Sequence, residues 1–310
     1  MSDGRSAVND LTGRTAVVTG ANKGVGFFTS ATLAGAGAHV VLACRDVERA
    51  DAAALAIRAR CARDGVRASV EVLRLDTSSL DSVDAAAKAL GGRERIDLVV
   101  ANAGVVHPPE TRETTVDGNE LVLGTNFLGH FALLAGLMPA LRRSSGARVV
   151  SLGSMATRLS SLLLDDLQLE HNYAPWRAYA QSKIAVESFG FELDRRMRAA
   201  ELDATSVVAH PGYSISGRTP LVPGVNQPSR MTVFADSLQA PFTQGKDRGA
   251  RSVLAAATHP HAVGGSYWGP RWRVKGAPVK QDPAWVCADP AVAQRVWEFA
   301  EQATGLRFEV

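Results

Sequence analysis

The sequence predicts an α/β fold, a doubly wound parallel sheet with helices on both faces. Three observations support this prediction: six short runs rich in β-branched residues recur along the chain, Ala-rich helical segments separate them, and the runs stay apolar throughout, as in HVVLA and IDLVVA. Strands covered on both faces have this continuous apolar character, and their alternation with helices requires parallel pairing. The length of 310 residues, with no Pro-, Gly- or Ser-rich linker before residue 210, predicts one three-layer αβα domain over residues 1–310.

The elements are predicted in chain order. The six strands are expected at Thr15–Thr19, His39–Cys44, Ser69–Leu75, Ile96–Ala101, Ala147–Leu152 and Thr205–His210. A helix is expected after the first strand, around Phe27–Ala36, and an amphipathic helix near the end of the chain, at Asp289–Thr304. Ligands of such sheets bind outside the carboxyl ends of the strands, so the residues that follow each strand carry most of the functional information.

Composition and charge exclude several classes of protein. The 34 Lys and Arg against 31 Asp and Glu leave +3, too small a surplus to indicate a nucleic acid or an anionic membrane as partner. The N-terminal stretch has no apolar h-region, and no apolar run reaches the roughly 20 residues of a membrane span. Cys44, Cys61 and Cys287 lack CxxC spacing, and His259 and His261 lack clustered partners, so neither disulfides nor a metal site are predicted. A reducing, cytoplasmic setting is expected.

A glycine-rich turn follows the first strand and opens a helix. Its glycines permit a tight turn and close approach of a ligand to the backbone, and the free N–H groups at the start of a helix attract a pyrophosphate. The position of the turn within a βαβ unit therefore predicts a dinucleotide site rather than a plain strand-to-helix connection. The residues expected to contact the dinucleotide here are Gly20, Asn22, Lys23, Gly24, Val25 and Gly26.

Further motifs follow this G-x3-G-x-G turn along the chain. They are Asn102-Ala103-Gly104 after the fourth strand, Asn126 in the next helix, Ser154 after the fifth strand, Tyr179 and Lys183 in YAQSK, and Pro211-Gly212 after the sixth strand. Over about residues 13–216 the chain resembles the short-chain dehydrogenase/reductase family, whose Rossmann-type fold agrees with the predicted sheet. The stretches ANKGVG, ACRD, DGNELVLGTNFLGHF and LLLDDL resemble its carbonyl reductase, retinol dehydrogenase and protochlorophyllide reductase-like branch. The 25 positions from Ser154 to Tyr179 imply an insertion at about 157–177 beside the active-site mouth, and about 213–246 corresponds to the variable substrate loop.

The YAQSK motif places a phenol and an ammonium on one helix face, because Tyr179 and Lys183 are four residues apart. A nearby cation favours the phenolate, so the sequence predicts a Tyr179 pKa below its ordinary value of about 10 and a role in proton exchange with a substrate oxygen. Ser154 is expected to hydrogen-bond that oxygen. The resemblance implies that Lys183 also holds the nicotinamide ribose and that Asn126 steadies a water in a proton relay. His130, one turn beyond Asn126, is expected to be a satisfied core histidine.

The end of the second strand indicates the cofactor. An acidic residue there would bind the ribose hydroxyls of NAD, whereas this chain has Cys44 and then Arg45, with Lys23 facing the same region, which favours the 2′-phosphate of NADP(H). Asp46 is expected to point elsewhere, and Arg49 is placed to add a third cation. The remaining cofactor contacts that the resemblance implies are Asp76, Thr77, Asn102, Ala103, Gly104, Tyr179, Lys183, Pro211, Gly212, Ser214 and Ser216.

These features predict an NADP(H)-dependent oxidoreductase that transfers hydride between the nicotinamide and a carbonyl or alcohol. Apolar residues expected near the mouth predict a bulky, largely apolar substrate; they are Val105, Met155, Leu159, Trp176 and Tyr213. Reduction of an enone double bond and a non-catalytic NADP-binding regulatory role are open alternatives, whereas the glycine spacing argues against an epimerase or dehydratase of the extended branch. A monomer, a homodimer and a homotetramer are all compatible with the sequence.

Overall fold

The computed structural model describes residues 8–310 and builds them around an eight-stranded sheet. The strands are β1 (Thr15–Thr19), β2 (His39–Cys44), β3 (Ser69–Arg74), β4 (Leu98–Ala101), β5 (Ala147–Leu152), β6 (Ala204–Ala209), β7 (Ser214–Ile215), β8 (Gln244–Gly245), β9 (Tyr267–Pro270) and β10 (Pro278–Gln281). Their order across the sheet is β10-β9-β6-β5-β4-β1-β2-β3, while β7 and β8 pair separately. The predicted doubly wound parallel sheet is confirmed, and its six predicted strands are observed within two residues of their expected bounds.

Helices cover both faces of the sheet. They are α1 (Gly24–Gly35), α2 (Val47–Arg63), α3 (Leu80–Gly91), α4 (Leu121–Leu123), α5 (Gly129–Arg143), α6 (Pro175–Ala199), α7 (Arg230–Leu238), α8 (Lys246–Thr258), α9 (Trp285–Ala288) and α10 (Pro290–Thr304). A π-helical turn, Gly124–Leu128, joins α4 to α5. Helix α1 begins earlier than the sequence predicts, because the end of the glycine turn already has helical geometry.

The strand order reverses beside β1, which pairs in parallel with β2 on one side and with β4 on the other. Val17 of β1 accordingly faces Val41 in one neighbour and Val99 in the other. The carboxyl ends of β1, β4, β5 and β6 lie at one edge, and ligands of such sheets bind at this edge where the strand order reverses. This carboxyl edge of the sheet is where the loops with the predicted motifs meet.

Two strands at one end of the sheet escape prediction from the sequence. Strand β9 pairs in parallel with β6, placing Tyr267 opposite Val208, and β10 pairs antiparallel with β9. Their sequences, YWGP and PVKQ, are short and contain proline, and they lack the β-branched runs of the other strands. Pro278 is tolerated because β10 is an edge strand, which needs no N–H donor on its outer side.

The C-terminal helix shares the core on one face of the sheet. Trp297 of α10 and the following Phe308 pack with Phe127, Phe131 and Phe189, at ring-centroid separations of 4.8–6.2 Å. Helices α5 and α6 supply most of the remaining apolar surface there, and a second apolar layer under α1, α2 and α8 fills the other face. The two layers together bury both faces of the sheet.

The expectation that no apolar run reaches the length of a membrane span is corrected, because the helical stretch Leu121–Arg143 is long and apolar enough by length and composition, the one such segment within residues 8–310. Buried residues make up 78% of its most apolar window, and Leu133, Leu134 and Leu137 are fully buried. This degree of burial is that of a core helix in a globular domain.

Gly129, at the start of α5, lies against the loop after β3, and a Cβ there would lie 2.0 Å from the backbone oxygen of Thr77. We expect Gly129→Ala to lower the free energy of unfolding by about 1–3 kcal/mol in urea titrations, because the Thr77 loop must move. Gly92→Ala is the matched control, since a Cβ at Gly92 meets no atom within 4 Å and its φ is −74°. Equal stability of the two variants would contradict the close packing inferred for this loop.

Candidate active site

The glycine turn after β1 leaves the start of α1 open to an anion. Gly20 and Gly24 have left-handed backbone, with φ of +62° and +61°, and a Cβ on Gly26 would lie 2.5 Å from Nδ2 of Asn102. The residue that caps α1, Lys23, offers its first N–H groups no side-chain hydrogen bond. Those N–H groups therefore suit a pyrophosphate, as the sequence predicts.

Asn102 braces this turn from the end of β4. Its Nδ2 donates to the backbone oxygens of Thr19 at 2.8 Å and Gly20 at 3.3 Å. The hydroxyl oxygen of Thr19 in turn accepts from the backbone N–H groups of Asn102 and Ala103, both at 2.9 Å. The resemblance implies a cofactor contact for Asn102, and the structure shows that its amide group also binds the turn itself.

His130 connects the glycine turn to the π-helical turn. Its Nε2 lies 2.8 Å from Oγ1 of Thr19, and its Nδ1 lies 2.9 Å from the backbone oxygen of Asn126. A carbonyl oxygen can only accept, so Nδ1 carries the proton and Nε2 accepts from the Thr19 hydroxyl. Burial lowers the pKa of His130 to about 4, which agrees with a neutral ring. Both ring nitrogens are bonded, as the sequence predicts for a core histidine.

Asn126 lies in the π-helical turn and ties the loop after β4 to α6. Its Oδ1 accepts from the Val105 N–H at 2.7 Å, and its Nδ2 donates to Oγ of Ser182 at 2.9 Å. Ser182 in turn donates to the backbone oxygen of Tyr179 at 2.8 Å. A Cβ on Gly104 would lie 2.8 Å from Oδ1 of Asn126, so a larger residue there would displace this side chain. Asn126 thus positions the helix that carries Tyr179, and its part in a proton relay stays a prediction.

The structure brings together the two hydroxyl groups predicted to meet the substrate oxygen. The Tyr179 hydroxyl donates to Oγ of Ser154 at 3.3 Å. Ser154 follows β5, and its Oγ accepts from the Ala156 N–H at 3.2 Å, which caps a short 3-10 turn. A carbonyl oxygen placed beside this pair would be within hydrogen-bond reach of both groups.

Lys183 and Tyr179 differ from the sequence prediction. Nζ of Lys183 donates to the backbone oxygen of Leu152 at 2.7 Å, and burial lowers its pKa to about 8. The predicted depression of the Tyr179 pKa is wrong for this structure: burial raises that pKa, the hydrogen bond to Ser154 lowers it, and the Glu187 carboxylate raises it. Loss of water around the phenolate outweighs a cation that is bound elsewhere. Tyr179 is therefore a protonated phenol at neutral pH, the form that donates a proton.

Glu187, one turn beyond Lys183 on α6, is a site residue that the sequence analysis misses. Its Oε1 accepts from the Ser154 N–H at 2.9 Å and from the Tyr267 hydroxyl at 3.1 Å. The side chain is fully buried, and burial raises its pKa to about 7. Glu187 fixes the backbone of Ser154, and the available signal was its position four residues after Lys183.

Lys246, the first residue of α8, lies over the glycine turn and is also missed from the sequence. Its Cδ lies 3.5 Å from the position of a Cβ on Gly24, and its Nζ donates to Oγ of Ser216 at 2.8 Å. Burial lowers the pKa of Lys246, and the nearby positive charge of Lys23 lowers it further. Two cations are held together beside the free N–H groups of α1, an arrangement that an anionic ligand would stabilise.

The end of β2 exposes one cation to a ligand. Arg45 is exposed and makes no ion pair with any residue that the structure describes. Asp46 accepts from the Arg49 N–H at 3.0 Å and pairs with the Arg49 guanidinium at 3.2 Å. The expectation that Arg49 adds a third cation is therefore corrected, because Asp46 already binds it.

The other predicted cofactor residues lie in loops at the same edge. Oδ1 of Asp76 accepts from the following Ser78, through its N–H at 3.0 Å and its hydroxyl at 2.6 Å, which shapes the loop that holds buried Thr77. Pro211 accepts from the hydroxyl of Ser214 at 2.8 Å. These contacts lie within the loops after β3 and β6 and fix their shape.

The insertion at 157–177 packs over the start of α6 and borders the mouth. Nε2 of Gln181 donates to the backbone oxygens of Asp166 and Leu167, both at 3.1 Å. Of the apolar residues predicted at the mouth, Leu159, Trp176 and Tyr213 are exposed. These three side chains therefore present apolar surface to solvent.

A glycine turn at a helix start, beside a Tyr–Ser pair and a buried lysine, defines an oxidoreductase that uses a nicotinamide dinucleotide. The chain belongs to the short-chain dehydrogenase family, whose sequence profile (short chain dehydrogenase) matches residues 14–217. It is 34% identical to retinol dehydrogenase 13 of Homo sapiens over 304 residues, which is 96% of this chain and 86% of that protein.

Solved structures agree with this assignment. An uncharacterised protein of Mycobacterium paratuberculosis has a TM-score of 0.79 and 34% identity, and the match covers 98% of each chain. The RhlG/NADP complex of Pseudomonas aeruginosa has a TM-score of 0.60 and 27% identity, with 84% of this chain and 95% of that chain covered.

Glu187 makes the stability of the protein depend on pH. Its folded pKa of about 7 lies above the ordinary value, so its contribution is fully present at low pH and is lost as pH rises through 7. In the wild type, we expect the free energy of unfolding to fall by roughly 3 kcal/mol between about pH 5 and pH 8. In Glu187→Gln this fall should be absent. Urea titrations across this range measure it, with exposed Glu170→Gln as control. Parallel curves for wild type and Glu187→Gln would contradict the assignment.

Proposed function

We propose that this protein is an NADP(H)-dependent oxidoreductase that transfers hydride between the nicotinamide and a carbonyl or alcohol of a bulky, largely apolar substrate. The observation that carries the proposal is the 3.3 Å hydrogen bond between the hydroxyls of Tyr179 and Ser154, at the edge where the glycine turn opens α1. When bound, the nicotinamide supplies or accepts the hydride. The proton and the orientation of the substrate come from the side chains of this chain.

Each of these side chains has a separate task. Ser154, whose backbone Glu187 holds, orients the substrate oxygen beside Tyr179. Tyr179 keeps its proton at neutral pH, because burial raises its pKa, and gives it to the oxygen as negative charge develops there. Lys183 is buried on the same helix, where its Nζ donates to the backbone oxygen of Leu152, and it would hold the nicotinamide ribose, as the family resemblance implies.

Arg45 supports NADP(H) as the cofactor, and two lysines support a nicotinamide dinucleotide of either kind. Lys23 and Lys246 flank the N–H groups of α1, where a pyrophosphate would bind. Arg45 is exposed at the end of β2, where the 2′-phosphate of NADP(H) would lie, and it has no ion-pair partner among residues 8–310, while the carboxylate of Asp46 is paired with Arg49. The RhlG complex contains NADP at 27% identity, which adds support from a relative.

The exposed apolar side chains predicted at the mouth support a large apolar substrate. Leu159 is 70% exposed and Trp176 is 53% exposed, so both offer contact area to a ligand. Retinol dehydrogenase 13 is named for a long apolar alcohol, which agrees with this class. NADPH oxidation measured with retinal, polycyclic ketones, enones and small oxo-acids identifies the substrate class, and faster turnover of the oxo-acids would refute an apolar substrate.

A reducing cytoplasmic setting belongs to the same proposal, because Cys44, Cys61 and Cys287 are buried free thiols.

Removing the Tyr179 hydroxyl should abolish most of the activity. We expect Tyr179→Phe to lower kcat by about 10²–10⁴-fold, because the ring still packs but the proton donor is gone. NADPH affinity and thermal stability should stay close to wild type. Tyr173→Phe is the matched control, since its hydroxyl donates to the backbone oxygen of Pro109 at 2.8 Å. Turnover of Tyr179→Phe within a few-fold of wild type would favour a regulatory role or another proton donor.

Two cation variants should separate the phosphates of the cofactor. We expect Arg45→Ala to weaken NADPH binding roughly ten- to hundredfold and NADH binding much less, because only NADPH carries the 2′-phosphate. Lys246→Met should weaken both cofactors by roughly tenfold, because both carry the pyrophosphate. Titrations followed by nucleotide fluorescence measure these constants, with exposed Lys280→Met as control. Equal losses of NADPH and NADH in Arg45→Ala would overturn the cofactor assignment.

A further inference from the structure

Helix α7 has no buried residue, and its outward side is apolar. Met231, Phe234 and Leu238 share one helix face and are 78%, 65% and 71% exposed. The opposite side rests on the chain, where Asp236 accepts from the Gly217 N–H at 2.7 Å. Three large apolar side chains grouped outward on one helix indicate an interaction site rather than scattered surface residues.

The turn between β9 and β10 continues this apolar side. Trp272 in the turn and Phe242 after α7 are each 67% exposed. The turn contacts the end of the α7 segment, because Nζ of Lys275 donates to the backbone oxygen of Ala240 at 3.3 Å. We call the following set the apolar-cationic face: Met231, Phe234, Leu238, Phe242 and Trp272, with Arg218, Arg230, Arg271, Arg273 and Lys275.

The charge around this face is strongly one-sided. Residues 211–245 and 270–281 contain six Lys and Arg but one Asp or Glu, a surplus of five in a chain whose net charge is +3. The single acid is Asp236, whose carboxylate binds the Gly217 N–H. The guanidinium of Arg271 lies 5.6 Å from the centre of the Trp272 ring, so aromatic and cationic groups are adjacent.

We propose that the apolar-cationic face docks on the surface of an anionic lipid bilayer. Large apolar side chains that enter the acyl boundary, a tryptophan at headgroup level and flanking Arg and Lys are the chemistry that such a surface binds. A second copy of this chain is a less suitable partner for the face. In a two-fold symmetric contact the cations of one copy would lie close to the same cations of the other and repel them. The net charge of the whole chain, +3, does not indicate an anionic membrane as partner, but residues 211–245 and 270–281 have a local surplus of five positive charges.

Co-sedimentation of the full chain with vesicles tests the proposal without cofactor or substrate, so its outcome does not depend on the proposed reaction. We expect binding to vesicles of phosphatidylcholine with phosphatidylglycerol, weaker binding to phosphatidylcholine alone, and loss of binding with added salt. The double variant Phe234→Ser with Leu238→Ser should reduce partitioning by roughly tenfold or more. The double variant Arg271→Glu with Arg273→Glu should reduce it by roughly tenfold on the anionic vesicles only.

The matched controls lie on α2, away from the face. Leu55→Ser, at a residue that is 65% exposed, and Arg60→Glu should leave partitioning unchanged. All changed side chains are exposed, so the thermal midpoints of the variants should match wild type, and sedimentation equilibrium reports self-association. The proposal would be overturned if the protein did not bind vesicles, or if both double variants bound them as the wild type does. It would also be overturned if the protein self-associated without binding vesicles and Phe234→Ser with Leu238→Ser abolished that self-association.

Discussion

The carboxyl edge of the sheet depends on one buried hydrogen bond, from the hydroxyl of Thr19 to Nε2 of His130 at 2.8 Å. Thr19 also accepts from two N–H groups at the end of β4, and His130 donates to the carbonyl of Asn126, so β1, β4 and the π-helical turn share one network. Each group would cost roughly 1–3 kcal/mol if it were buried without a partner. The network therefore admits one arrangement, and that arrangement sets the glycine turn against the helix that carries Tyr179.

Charged groups that are expensive to bury are concentrated around this network. Lys183 and Glu187 lie one turn apart on α6, and burial moves their pKa values towards neutrality from opposite sides, to about 8 and about 7. Lys246 is partly buried beside another cation. Such groups lower the stability of the protein and are kept where a ligand or a reaction uses them. An anionic cofactor that neutralises the lysines would therefore also stabilise the fold.

The sequence predicts structural features that depend on residues close together in the chain. It misses features that depend on contacts between residues far apart in the chain. The six parallel strands follow from apolar runs, and the Tyr179–Ser154 pair follows from motifs placed after strands. Strand β9 forms because β6 offers a free edge, which no local pattern in YWGP reveals. Lys246 reaches the glycine turn only through the fold. The pKa of Tyr179 moved opposite to expectation, because helical spacing gives proximity to Lys183 but says nothing of burial or of the carbonyl that holds the lysine.

The uneven distribution of charge gives the molecule an electric dipole. The segments around α7 and the β9–β10 turn have five more positive than negative charges, and the net charge is +3, so the rest of the chain is net negative. The positive end lies towards the carboxyl edge of the sheet, the same edge at which the glycine turn lies. Such a field acts over about 10 Å at roughly 0.1 M salt. It orients the protein and an approaching polyanion relative to each other before any contact forms. A polyanion therefore approaches the molecule preferentially at the carboxyl edge of the sheet.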